Sequence, residues 1–490
     1  MENSHNTQGS TSLTHYLPQA LMRAVAQVEK HHFPFYITGG TLRDRLLGRN
    51  PADFDITVKE GALQCCRDLL DVLHGGALVK LGTDTEEAAR VVWQGNCIDF
   101  SAFRKGAQTI EEELHHRDFS INALAVELRH SHEPCAHLID PLGGLRDLRE
   151  GILRCCPGAF ADDPLRMLRG YRLRAELGFT MDNECITMVK QHCKEIRKSA
   201  LERVHYELDR IMTTASAAEV FGDMAGTGLL WEILPELKEG VGLEQPGYHH
   251  EDVFHHSILA LQCLDRVMAE PNRYFAEHTE TVTDYLDDDV HRRRLRWSAL
   301  FHDLGKPSTF SSGTMGGRIT FYNHDRVGRE IFTDIARRLR MSRVEAERIG
   351  MLIEMHMHPF HLSNVRRKGQ LSRRALLRIC KKAGNELPGL FVLAMADSLA
   401  GQGELKPADM EQELSSLFDE IKTADEKLVQ PALHGEKLVT GNDLIGIFHL
   451  SPGPYFREIF DELEVARVEE KVRTREDALS WVGNYIGNDN

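Results

Sequence analysis

The chain has 490 residues and a mass of 55.5 kDa, too long for one hydrophobic core, and its 42% apolar residues suffice for several packed domains. Its net charge of −15 excludes a protein that coats nucleic acid nonspecifically, because such binding rests on Lys and Arg neutralising phosphates. No apolar run approaches the roughly 20 residues of a membrane helix, and the first residues lack both a basic start and an apolar core, so a cytoplasmic protein without membrane attachment is expected. The ten cysteines include adjacent pairs at Cys65/Cys66 and Cys155/Cys156 but no C-x-x-C, which points to reduced, mostly buried thiols rather than a zinc ribbon or a disulfide framework.

Residues 1–30 read as a polar tail and a first helix. Over 31–155, apolar runs alternate with turn signals at PFYITGG, DFDITV, ARVVW, NCIDFSAF and NALAVEL, the pattern of a mixed α/β domain. Within it, YITGGTLRDRLLGRNPADFDITV combines a strand, a Gly-Gly turn, a basic helix and a second strand bearing Asp53 and Asp55. Strand residues two apart point to one face, so both carboxylates can project into one cleft. Two hard cations about 3.5 to 4 Å apart would suit them, lowering the pKa of an attacking hydroxyl and neutralising a triphosphate. Gly39 and Gly40 let backbone N–H groups approach phosphate oxygens, and Arg43 adds charge-assisted bonds. Alternating Asp on an exposed strand edge is the ordinary alternative for D-x-D alone.

Residues 156–240 turn helical, with DPLRMLRGYRLRAEL and ALERVHYELDRIM as amphipathic segments forming a neck. Pro164 suits a first helical position behind an Asp163 cap, and Asp163 and Arg166, three apart, can share one helix face. Basic clusters at 166–174, 292–296 and 366–382 are either solvated helix faces or an RNA-tracking surface.

A His-rich helical stretch spans 241–402. It carries His256, then His302 and Asp303 at the end of the apolar run WSALF, then His324, His356 and Asp397. Imidazole nitrogens and carboxylate oxygens on several helices suit a divalent transition metal. Lys306 either steadies a substrate phosphate or snorkels at the surface. Residues 403–490 form a helical C-terminal body with Gly/Pro punctuation.

Taken in order, these strings resemble the class II CCA-adding enzymes and bacterial poly(A) polymerases of the DNA polymerase β-like nucleotidyltransferase superfamily, with an HD domain in the same chain. Gly39, Gly40, Arg43, Asp44, Asp53 and Asp55 match the family's first motif. The resemblance implies a small mixed sheet with helices as the head, followed by all-α neck, HD and C-terminal domains. It also implies Mg²⁺ on Asp53 and Asp55, with Asp99 as a third carboxylate. HHRDFSINALA then supplies Arg117, Asp118 and Asn122 for the sugar and phosphates of the incoming nucleotide, with His116 in place of the usual first Arg. Gly144 and Asp147 match a motif linked to head–neck coupling. Asp163 and Arg166 would read the Watson–Crick edge of the nucleotide, with Asp162 where the family usually has Glu. Arg169 and Arg172 follow as further nucleotide contacts, and Glu202, Arg203 and Glu207 match a fifth motif, read as a neck-packing helix.

The same resemblance implies an HD metal site of His256, His302, Asp303 and Asp397, with His324 and His356 as candidates for a second metal, and hydrolysis of a phosphomonoester or a 2′,3′-cyclic phosphate. Only 13 positions separate Arg104 from Arg117, where many relatives carry a longer flexible loop that helps switch specificity from C to A. Enzymes that add only two C residues tend to have it shortened. The expected function is template-independent addition of C and/or A to the tRNA 3′ end from CTP and ATP. A poly(A) polymerase, and an HD phosphohydrolase with a non-catalytic RNA-binding head, are the alternatives.

Overall fold

The computed structural model describes residues 19–51, 53–81, 87–130, 137–245, 247, 250–312 and 319–488. Most of the expected polar tail therefore lies outside the described residues. The chain divides into two compact units, Met1–Leu208 with Met224–Ile233, and Asp209–Asp223 with Leu234–Asn490.

The first unit is built on a six-stranded sheet of β1 (Tyr36–Thr38), β2 (Phe54–Val58), β3 (Ala77–Lys80), β4 (Ala88–Trp93), β5 (Asn96–Ala102) and β6 (Ala125–Glu127). Their order is β3-β4-β5-β2-β1-β6, and only β2 and β5 run parallel, so the sheet is mixed as expected. The β4–β5 hairpin turns at Gln94 and Gly95, both at positive φ (47° and 79°), a two-residue turn whose twist matches that of the strands. Helices α1 (Gln19–Glu29) and α3 (Ala62–Leu73) cover one face. Leu21, Ala24, Val25 and Val28 of α1 recur at helical spacing and pack with Ile56, Ile98 and Phe100 of the strands. Strand alternation then sends Asp55 and Asp99 to the opposite face.

The helices α2 (Gly39–Leu46), α4 (Ile110–Leu114) and α5 (Gly144–Glu150) complete the sheet domain, and α6 (Ala159–Asp162), α7 (Leu165–Leu177), α8 (Asn183–His192) and α9 (Leu201–Met212) follow. Two close approaches fix this layout. A Cβ on Gly144 would stand 2.0 Å from the Ser120 carbonyl oxygen, and one on Gly170 would stand 2.7 Å from the Phe119 ring. Only glycine lets α5 and α7 press onto the 118–122 segment. Asp147, fully buried, accepts a hydrogen bond from the Ser120 hydroxyl (2.6 Å) and pairs with Arg154 (3.2 Å).

The second unit is helical. The helix Leu387–Ala400 is buried along nearly its whole length, and Val253–Ala269, Asp289–Phe301, His324–Arg338 and Arg343–Met355 belong to the same unit. Val439, Leu444, Ile459, Leu463, Ala478 and Val482 form a separate small core for the C-terminal body. Two basic clusters are engaged internally. Arg294 pairs with Glu345 and Glu386 at 2.6 Å each, and Arg296 with Asp265 at 2.8 Å. Arg374 pairs with Glu462, and Lys381 with Asp461 and Glu464, joining the helices Arg373–Ala383 and Pro454–Val468. The nine described cysteines are free, six of them buried, and burial pushes the Cys65 and Cys66 thiols up to about 12. Among the described residues no helix is long and apolar enough to cross a membrane.

Candidate functional site

On the open face of the sheet, Asp55 on β2 lies directly opposite Asp99 on β5, and Asp99 lies opposite Arg90 on β4. Asp53 sits at the bend just before β2. The Arg90 guanidinium bridges the cluster: Nε and one terminal nitrogen donate to the two oxygens of Asp99 (2.7 and 2.8 Å), and the same terminal nitrogen donates to Asp53 (2.9 Å). Asp55 instead accepts from the Thr41 backbone N–H at 3.3 Å, while the Thr41 hydroxyl accepts from the Asp55 N–H (2.6 Å) and donates to the Asp53 carbonyl (3.1 Å). Burial raises the pKa of Asp55, and the charges of Asp99 and Asp53 add to this against the pull of Arg117. Such a carboxylate is stabilised by a cation.

Of the Gly-Gly pair, Gly39 is the one this packing requires. Gly39 has φ +62°, and a Cβ there would stand 3.0 Å from Asp55 Oδ2; one on Gly40 would stand 3.5 Å away. Arg117 is buried beside them, donating to the hydroxyls of Thr38 (3.2 Å) and Thr57 (2.7 Å) and pairing with Glu113 (3.3 Å).

A second chain of contacts starts at Arg43, which donates to Asn122 Oδ1 (3.0 Å), and Asn122 donates to Asp118 (2.9 Å). Arg169 also donates to Asp118 (3.0 Å) and pairs with Glu207 (3.7 Å), which accepts from Arg172 at 2.5 Å. Burial would raise Asp118, but Arg169 and Asn122 outweigh it and hold its carboxyl well below the usual range. Glu207 on α9 therefore fixes two arginines of α7, in keeping with a helix that packs the neck.

Asp163 stands just before the helix, in the capping position the sequence suggests, rather than within it. Pro164 starts the helix and forces the preceding residue into an extended conformation, φ −144°, ψ 104°. From there Asp163 caps α7 by accepting from the Leu165 N–H (3.1 Å), and its other oxygen accepts from Arg203 (3.0 Å). Arg166 is buried and donates to the carbonyls of Arg117 (3.3 Å) and Ala159 (3.5 Å).

In the second unit, all six metal-ligand candidates converge. His256, His302 and Asp397 form one group and Asp303, His324 and His356 another, the donor atoms of each group lying within 4.8 Å of one another. The Asp303 carboxylate faces both: Oδ2 is 3.2 Å from His302 Nε2, and Oδ1 is 3.4 Å from His324 Nε2 and 3.7 Å from His356 Nε2. His256 Nε2 lies 3.0 Å from Asp397. The Nδ1 atoms of His302, His324 and His356 lie 2.7 to 2.8 Å from the carbonyls of Ala299, Phe321 and Ile353, which places the proton there and turns each Nε2 to the centre. Burial alone would lower His302, but Asp303 and Asp397 override it and raise the imidazole to about 10. Burial and the neighbouring His324 and His302 push His356 down to about 3. Nitrogen and oxygen donors aimed at two foci fit a pair of divalent ions. Lys306 is buried and donates to Asp303 and to Gln245 Oε1, both at 2.6 Å, so it is not a snorkelling surface lysine.

Residues 35–154 match the poly A polymerase head domain, 178–240 the family described as the probable RNA and SrmB-binding site of polymerase A, and 253–400 the HD domain. The chain is 31% identical over 456 residues to an A-adding tRNA nucleotidyltransferase of Deinococcus radiodurans, covering 92% of this chain and 95% of that protein. It is 29% identical over 471 residues to a CC-adding tRNA nucleotidyltransferase of Thermus thermophilus, covering 93% and 96% respectively. In fold it is similar to the Thermotoga maritima CCA-adding enzyme complexed with tRNA, with a TM-score of 0.61 at 21% identity and coverage of 97% of both chains. Head and HD domains of these kinds are metal-dependent. Ordered motifs, geometry and similarity over nearly the whole chain agree: this protein belongs to the class II tRNA nucleotidyltransferases that carry an HD domain.

Proposed function

We propose that this chain adds C residues, transferring CMP from CTP to the 3′ end of tRNA and stopping after the second C. The observation that carries this reading is the short segment between Arg104 and Arg117. Fully buried Glu113 accepts from the Arg104 backbone N–H (2.7 Å) and pairs with Arg117, and Lys105 pairs with Asp162 at 2.5 Å. Contacts of this kind favour a segment held in one arrangement, and so the reading of one base over a switch between two.

In this reading Asp53 and Asp55 hold Mg²⁺, with Asp99 completing the acidic cluster. When bound, the ion lowers the pKa of the tRNA 3′-hydroxyl and neutralises charge on the triphosphate and the leaving pyrophosphate. Gly39 and Gly40 leave room for phosphate oxygens, and Arg43, Arg117, Asp118 and Asn122 seat the sugar and phosphates. Asp163 and Arg166 read the base edge, while Arg169 and Arg172 hold the reading helix in place. Residues 31–155 act as the head, 156–240 as the neck, 241–402 as the HD domain and 403–490 as the body, an assignment supported by where the matched families fall.

For the HD domain, His256, His302, Asp303 and Asp397 would hold one transition-metal ion, and His324 and His356, sharing Asp303, a second. Such a pair supplies an activated water for phosphoester hydrolysis. Lys306 and Gln245 would then steady the phosphate.

The test is to incubate tRNAs ending at the discriminator base, in C and in CC with CTP and ATP, separately and together, and to size the products. Two, one and no added C residues are expected, with no A. Addition of a single A to the CC end, or a long A tail on ordinary RNA, would overturn the reading.

A further inference from the structure

We propose that Arg90 is an internal counter-cation that competes with divalent metal for Asp53 and so sets the metal concentration at which the head becomes active, with Asp99 as its anchor. This rests on the reading of Asp53 and Asp55 as metal ligands. Arg90, Asp99 and Asp55 form one cross-strand row on adjacent strands, and Asp53 flanks it. The two contacts of Arg90 are unequal. It grips Asp99 through a two-bond fork, at 2.7 and 2.8 Å, a geometry that fixes a guanidinium firmly. It reaches Asp53 by one bond of 2.9 Å, to a side chain that is 42% exposed against 22% for Asp99.

The weak end therefore lies on Asp53 and the strong end on Asp99, so of the carboxylates in the cluster Asp53 is the one the guanidinium gives up most readily. One terminal nitrogen of the guanidinium lies between Asp53 and Asp99, within hydrogen-bond reach of both, where a cation shared by these carboxylates would also stand. A hard cation can take Asp53 from a single, partly hydrated hydrogen bond. Arg90 then stays on Asp99 as a like charge beside the ion. Competition and repulsion act in the same direction, so removing the guanidinium tightens metal binding.

The experiment is Mn²⁺ binding to the full chain without nucleotide or tRNA, followed by electron paramagnetic resonance. From each titration is subtracted that of the same chain carrying Asp53→Asn and Asp55→Asn, which removes the contribution of the HD domain. In Arg90→Gln the subtracted site is expected to bind Mn²⁺ on the order of tenfold more tightly than in the unaltered chain. Arg90→Lys, which keeps a charge without the fork, should fall between them and serves if the Gln variant does not fold. Unchanged or weaker Mn²⁺ binding in a folded variant would overturn the role of Arg90. A null difference in both the unaltered chain and Arg90→Gln would instead remove Asp53 and Asp55 as ligands, and the proposal with them.

Discussion

Replacing Asp53 by Ala is expected to reduce CMP transfer to tRNA by ~10³-fold or more, because a positioned metal contributes several kcal/mol of transition-state stabilisation and each 1.4 kcal/mol is tenfold in rate. The fold should survive. Asp53 sits at a bend outside the apolar cluster of the sheet, and what it loses is one partly solvated ion pair with Arg90, worth about 1 kcal/mol or less. Extension of a tRNA ending at the discriminator base measures the first effect and a thermal melt the second. Asp55 is a poorer choice for the same purpose, because its carboxylate is also tied to the N–H of Thr41 beneath the Gly-Gly turn. An Asp53→Ala chain that melts normally and still transfers CMP at the original rate would remove Asp53 from the chemistry.

Gly305→Ala should damage the other centre through packing alone. The backbone of Gly305 has an ordinary φ of −83°, so the constraint is space: a Cβ there would stand 2.1 Å from the His324 carbonyl oxygen and 2.6 Å from the Gly328 nitrogen. Both obstacles are backbone, so the helix that carries His324 must move away from the Asp303 turn. Such overpacking costs about 1–3 kcal/mol. It also separates His324 from Asp303, now 3.4 Å apart. The expected result is loss of one of two bound metal ions per chain and of phosphoester hydrolysis, read by elemental analysis and by release of p-nitrophenol from bis-p-nitrophenyl phosphate. Gly328→Ala is the milder companion, since its Cβ would meet the Gly305 nitrogen at 3.2 Å and Ile353 at 3.4 Å. Full metal content in a stable Gly305→Ala chain would show that the two groups of ligands do not depend on this contact.

What the sequence made legible were features whose partners lie close in the chain or recur at a fixed period. The Gly-Gly turn, the D-x-D strand and the mixed sheet follow from alternation over a few residues. The His-Asp step after WSALF is read in the same way. Residues whose partners are set by register or by a remote helix stayed hidden. Arg90 looked like one more strand residue in ARVVW, yet Gln94 and Gly95 form a two-residue turn, and folding the chain about that turn pairs Arg90 with Asp99. A hairpin reading of VVWQGNCID would have found it. Glu113 stands four residues before Arg117, a local spacing, but its contact with Arg104 arises only when the segment closes on itself. The Asp163 cap before Pro164 is readable from the sequence and is present, whereas the Arg203 that meets its other oxygen comes from a remote helix and is not readable in this way. Basic clusters were ambiguous for the same physical reason. Whether Arg294 or Lys381 faces solvent or a buried carboxylate depends on which helix packs opposite.

We propose that one chain carries a centre that forms phosphodiester bonds at Asp53 and Asp55 and another that breaks phosphoester bonds at Asp303. The most direct measurement assays CMP transfer to tRNA and bis-p-nitrophenyl phosphate hydrolysis on the same preparations of the unaltered chain, Asp53→Ala and Asp303→Asn. Each substitution is expected to abolish one reaction and leave the other within about twofold, since the two sets of residues belong to separate compact units. CMP transfer that persists in Asp53→Ala, or that disappears in a folded Asp303→Asn chain, would contradict it.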